Sequence, residues 1–156
     1  MMLAIRPIGP DDRDAFQAFV TGMSQETRTN RFFSPVRELA PSILQALTEP
    51  DHRRHVGLIA LEDGRIVGEA RYVALGHSGR GEFAIAVTDE WQRRGIGARL
   101  LGALQAAARS AGLLFLAGEV LRTNAPMLRF SQRAGFHLKS CPGDARIALV
   151  ERILAS

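Results

Sequence analysis

The residues best suited to chemistry stand in one short run, Gln92-Arg93-Arg94-Gly95-Ile96-Gly97. Ahead of it, an alternating apolar stretch with Phe83, Ile85 and Val87 predicts a β-strand. Behind it, Ile96, Leu100, Leu101, Leu104, Ala107 and Ala108 fall on one helical face. A helix start leaves backbone N–H groups unpaired and carries the positive end of the helix dipole. Two glycines let an anion approach that backbone closely, and Arg93, Arg94 and Arg99 add full charges. The chemistry expected of the run, Ala98 included, is phosphate binding. No Gly-Lys-Ser/Thr follows, and Gly95 and Gly97 are only two of the three glycines of a dinucleotide loop. A glycine-capped helix whose arginines merely face solvent is the alternative.

Other reactive residues carry weaker patterns. His52 and His55 have a His-x-x-His spacing, but no neighbouring Cys or third His completes a metal site, so no metal is expected. Cys141 lacks the His–carboxylate pattern of a nucleophile and reads as a packed or loop cysteine beside Pro142. Trp91 could line an acceptor cleft, although a core or rim anchor is the commoner fate of a lone tryptophan.

The elements that must position these residues come from a chain of 156 residues, enough for one domain with a proper core, spanning 1–156. No apolar run approaches the roughly 18 residues of a membrane span, and the first residues do not read as a signal peptide. The single cysteine excludes an internal disulfide and suits a reducing cytoplasm. The net charge of +4 comes almost wholly from arginine, Lys139 being the one lysine. The arginines are scattered rather than interleaved with aromatics, so an anionic cofactor is expected rather than nucleic acid or a membrane surface.

Read in order, Leu3 to Ile8 suits a first strand and Pro10-Asp11-Asp12 a helix start, with Ala15, Phe16, Phe19, Val20 and Met23 inward. Ser24 caps a stretch to Phe33, and Pro41 opens a short helix holding Ile43, Leu44 and Leu47. His55–Leu61 and Ile66–Leu75 form a hairpin about Asp63-Gly64, with Gly68 at a bulge. Leu113–Leu121 is a buried strand, Asn124 caps a further helix, and His137–Ser140 and Arg146–Ile153 are the last strands. The summary order is β-α-α-β-β-β-α-β-α-β-β, an α/β fold in which helices flank a mixed central sheet.

Two motifs carry a resemblance. Gln92-x-x-Gly95-x-Gly97 after a strand resembles the acyl-CoA pyrophosphate loop of the GNAT superfamily of N-acetyltransferases. The run N-A-P-M-L-R-F-S-Q-R-A-G-F from Asn124 resembles that superfamily's later helix, with Asn124, Gly135 and Phe136 matching. Met127 stands where alanine is usual and Phe130 where leucine is usual. The segments R-F-F-S-P-V-R-E-L, I-V-G-E-A-R-Y, W-Q-R-R-G-I-G and G-E-V-L-R-T-N-A-P-M-L-R look like the catalytic domain of bacterial protein-lysine acetyltransferases. Those enzymes often couple it to a regulatory or nucleotide-binding module.

The resemblance implies a GNAT-type fold, acetyl-CoA as cofactor, and acetyl transfer to a primary amine: a protein lysine, an N-terminus or a small amine. Arg93 to Ala98 would hold the pyrophosphate, Ala86 and Val87 the pantetheine arm, and Asn124 would sit near that arm or simply cap its helix. Glu82 is the first candidate base: it opens the strand leading to the cofactor and alternates onto a face with the small Ala84 and Ala86. A solvated strand-end carboxylate is its alternative. Glu119, a lone acid in an apolar strand, is the second, with an ion pair to Arg122 or Arg71 as the expected structural role. Ser131 occupies the place where many members have a tyrosine to protonate the leaving thiolate. That departure keeps a non-catalytic acyl-CoA-binding module open. Homodimers are common in the superfamily, so a homodimer is also open.

Overall fold

The computed structural model describes residues 3–154. The chain begins with β1 (Leu3–Pro7), followed by α1 (Arg13–Gly22), α2 (Gln25–Phe32) and α3 (Pro41–Thr48). Then come β2 (His55–Glu62), β3 (Arg65–Leu75), β4 (Arg80–Val87), α4 (Ile96–Ser110) and β5 (Phe115–Leu121). Last are α5 (Ala125–Arg133), β6 (His137–Ser140) and β7 (Ile147–Ile153). The expected α/β order is met with one helix more in the first crossover. Pro35 and the following loop separate α2 from α3, so three helices rather than two lie between β1 and β2.

The seven strands form one mixed sheet, β1-β2-β3-β4-β5-β7-β6, in which β4 and β5 alone run parallel. Asp63 and Gly64 both have positive φ (50° and 76°), the geometry of a two-residue hairpin turn whose twist matches its strands. The register of β2 and β3 shifts beside Gly68: Ala60 pairs Gly68 while Leu61 pairs Ile66, leaving Val67 as the extra residue.

Two cores cover the two sheet faces. On one face α4 buries Ile96, Leu100, Leu101 and Leu104 against Ala70, Tyr72, Phe83 and Ile85. On the other, Phe16, Phe19 and Val20 of α1 and Leu44 of α3 pack on Ile59, Ile66 and Ala86. In α3 Leu44 takes the inward position and Ile43 is exposed. A Cβ at Gly68 would lie 2.9 Å from Leu100 Cδ1 and 3.4 Å from the Ala86 carbonyl. The missing side chain lets the first turns of α4 settle directly on β3, beside the end of β4.

Candidate functional site

The site is built where β4 and β5 part. Three residue pairs join them, the last being Glu82 with Ala117. Yet β4 runs on to Val87, still paired with β3, and β5 runs on to Leu121, still paired with β7. The two facing edges beyond Glu82 and Ala117 are therefore unpaired with each other, and an unpaired edge is a template for an added strand-like chain. Phe83 occupies the inner side of the gap. Its ring lies where a Cβ of residue 118 would be, 2.7 Å away, and packs 5.1 Å from the Phe136 ring. Gly118 makes room for this wedge.

Above the gap stands the Gln92–Ala98 loop. Arg93 has φ 62° and Gly95 φ 83°, two left-handed residues in quick succession that turn the chain into α4. The first backbone bond of α4 runs from Arg99 N–H to the Gly95 carbonyl, 3.1 Å. From Arg93 to Ala98, no backbone N–H donates to another atom among the described residues. A Cβ at Gly95 would meet nothing within 4 Å, so the space before these donors is open. Gln92 folds back, its Nε2 donating to the Val87 carbonyl (2.9 Å), and ties the loop to the end of β4. Arg94 stacks over Trp91, 4.7 Å from the ring centroid, and Trp91 itself leans on the α4-side core. Ile96 is buried; Arg93, Arg94 and Ala98 are exposed and Gly97 is half-buried under Phe130.

Glu82 is exposed at the mouth of the gap, and its carboxylate has no ion-pair or hydrogen-bond partner among the described residues. The neighbouring arginine on its face, Arg80, is engaged by Glu151, which also takes Lys139 at 2.7 Å. Those two cations hold the Glu151 carboxyl below its usual range, Lys139 first. Ala86 is buried opposite Glu69, and Val87 is half-buried.

Glu119 lies one alternation beyond Ala117 on β5, exposed, with the Cys141 thiol 3.9 Å from its Oε2. The expected ion pair with Arg122 or Arg71 does not form: Arg71 is two strands away, committed to Glu69 (3.1 and 2.9 Å), and Arg122 has no acidic partner among the described residues. Asn124 caps α5, its Oδ1 accepting from Met127 N–H at 3.3 Å. Ser131 is wholly buried with its hydroxyl unpartnered, and Tyr72, in the α4-side core, is likewise buried and unpartnered. His52 and His55 serve separate contacts, with the Ile8 carbonyl (2.8 Å) and Arg71 (2.9 Å). No three metal-binding side chains gather among the described residues.

Sequence reasoning passed over Glu69, a fully buried carboxylate on β3 held by Arg31 of α2 and Arg71. Complete burial pushes its carboxyl upward, but Arg31 and Arg71 together outweigh that and hold it below the usual carboxylate range. The available signal was the alternation of Glu69 and Arg71 onto one face of an otherwise apolar strand. An open hollow lies beside the end of β5. Gln25, Glu26, Thr29 and Asn30 of α2 face Leu121 and Thr123 across about 500 Å³.

The sequence matches the acetyltransferase (GNAT) family over residues 20–136. An acetyltransferase of Pseudomonas aeruginosa is 34% identical over 112 residues, covering 69% of this chain and 60% of that protein. The acetyltransferase Pat of Mycolicibacterium smegmatis is 34% identical over 134 residues, covering 84% of this chain and 40% of Pat. The chain thus spans about 60% and 40% of the lengths of these curated relatives. Among solved structures, the GNAT domain of S. lividans PAT superposes with a TM-score of 0.91 at 30% identity, covering 96% of this chain and 89% of that one.

Proposed function

The chain belongs to the GNAT acetyltransferase family, and from that premise we propose that it transfers an acetyl group from acetyl-CoA to a primary amine in a ternary complex. The observation that carries the reading is the meeting of an open strand edge on β4 with a bare helix start on α4. The residues fit the cofactor. The unpaired N–H groups from Arg93 to Ala98 face open space at Gly95, as a pyrophosphate requires, and Arg93 and Arg94 add charge. Ala86 and Val87 would take the pantetheine arm along the free edge, with Asn124 near that arm. When bound, acetyl-CoA supplies an activated acyl thioester.

The chain's own residues supply the rest. An alkyl amine has a pKa near 10.4 and is mostly protonated at neutral pH. Glu82, lacking a counter-ion, would take that proton directly or through water as the amine attacks. A backbone N–H at the end of β4 would hold the negative charge developing on the acyl oxygen. Glu119 is kept as the second carboxylate, near enough to the opening to steady a cationic acceptor. Water would protonate the departing thiolate, since Ser131 is sealed inside.

That sealed serine favours one second reading, a non-catalytic acyl-CoA-binding module of the same fold. Thiol release from acetyl-CoA with a panel of amines, wild type against Glu82→Gln, separates the two. Turnover that Glu82→Gln abolishes supports the enzyme; CoA binding without turnover on any amine supports the module. The acceptor, protein or small molecule, and a homodimer belong to the proposal. So does a cytoplasmic location, which the lone Cys141 supports.

A further inference from the structure

An eight-residue helix does not stand alone in water, so α2 must be held by the rest of the protein. It buries no residue of its own. Its one apolar anchor is the half-buried Phe32 at its last position, packed on the α1-side core. The rest of its hold is a polar stripe at i, i+3, i+4 and i+7, the spacing at which a helix ordinarily presents apolar side chains to a core. Ser24, its cap, donates through N–H and hydroxyl to Asp89 at 2.9 and 2.8 Å, and the Thr27 hydroxyl joins at 3.0 Å. Arg28 Nε donates to the Val36 carbonyl at 2.7 Å. Arg31 Nε donates to Glu69 Oε1 at 2.6 Å.

The last tie differs from the others in depth. The Arg31 side chain is 11% exposed and that of Glu69 0%, while Asp89 and its partners lie at the surface. Glu69 divides its two oxygens. Oε2 is taken within β3 by Arg71, which also donates to the Leu47 carbonyl at 3.0 Å. That pair alone would neutralise the carboxylate. Oε1 reaches out of the sheet to α2, and a buried ion pair is weak evidence of added stability, since burial costs each charge its solvation. Glu69 lies directly across from Ala86, so the tie anchors α2 beside the last residues of the opened strand. The opposite side of α2, with Gln25, Glu26, Thr29 and Asn30, lines the hollow it shares with Leu121 and Thr123 at the end of β5.

We propose that Arg31 and Glu69 are positioning residues: their buried pair sets where α2 stands, and α2 in turn sets how the acceptor amine lies beside Glu82. The inference rests on the acetyl-transfer reading above. It assigns the pair no contact with the reacting atoms.

The test uses Arg31→Met, which removes the tie while Arg71 still neutralises Glu69, and Arg31→Lys, which restores the charge. Hydrogen exchange on the cofactor-free protein reads α2 without any turnover. In Arg31→Met the amides of α2 should exchange about tenfold faster while those of β3 stay protected. With a turned-over amine, its KM should rise about tenfold, with kcat and the KM for acetyl-CoA nearly unchanged. Arg31→Lys should recover most of both effects. Unchanged α2 exchange, or a loss of kcat and cofactor affinity that tracks a falling Tm, overturns the positioning role. Absence of turnover by the wild-type protein with every amine sinks instead the reading beneath it, and this proposal with it.

Discussion

Glu82 and Ala117 face each other as the last paired residues of β4 and β5, and the candidate site opens directly past them. The candidate base therefore stands at the apex of the gap and not along one of its arms. Phe83, the next residue, turns to the opposite face and fills the space over Gly118. Neighbouring residues thus face opposite ways: Glu82 offers a carboxylate to the mouth, and Phe83 packs over Gly118 and against Phe136 behind it.

Gly95→Glu should weaken CoA binding by on the order of a hundredfold, the loss of two or so charge-assisted hydrogen bonds. The new carboxylate would project into the open space before the free N–H groups. Because Gly95 has φ 83°, any side chain there also adds backbone strain. Gly95→Ala carries the strain without the charge and is the control. Calorimetric titration with CoA giving equal affinities for Gly95→Glu and wild type would remove the loop from the site.

Glu82→Gln should lower kcat/KM by about 10²- to 10⁴-fold, the usual contribution of a positioned base. Its affinity for CoA should not change, since the loop lies at the other end of β4. Glu119→Gln in the same assay tells the carboxylates apart. A larger loss there than in Glu82→Gln would exchange their roles.

Local features of this fold were open to reading from sequence, and long-range ones were not. Ser24 as a cap and Asp63-Gly64 as a turn follow from the chemistry of a few adjacent residues, and both are found. The parting of β4 and β5 has no such signature: it lies between strands far apart in the chain, beside the place where Phe83 meets Gly118, 35 positions away. Glu119 was given an arginine partner because a strand acid needs one if buried; the sheet leaves it exposed instead. The polar stripe of α2 reads as a solvated face until Glu69 and Asp89 are seen beneath it. Periodicity says which residues share a side, but not what the side touches.

Gly118→Ala should destabilise the protein by about 1–3 kcal/mol, the range for overpacking a core. The added methyl would sit 2.7 Å from the Phe83 ring, which is itself pressed on Phe136 and cannot swing away freely. A smaller side chain at 83 should relieve the clash, so Gly118→Ala/Phe83→Leu should be less destabilised than the two single changes summed. Denaturant midpoints measure this directly. Strict additivity would mean that the ring and the glycine do not depend on each other.

Stability should fall as pH drops through the ordinary histidine range, near 6.5, and His55 should be a source of that fall. Burial comes first among the causes that lower its pKa, and the nearby Arg71 guanidinium second. The imidazole Nε2 lies 2.9 Å from Arg71 Nη1, so the folded protein keeps it neutral, as an acceptor. Above pH 6.5 both folded and unfolded chains carry a neutral His55, and no penalty exists. Below it the unfolded chain takes up a proton that the folded one refuses, and the balance shifts toward unfolding until the folded pKa is reached. His55→Gln keeps an acceptor for Arg71 but cannot titrate. Melting temperatures of that variant should decline less than wild type between pH 7.5 and about 5.5; parallel curves would acquit His55 and leave the buried Glu69 cluster indifferent to it.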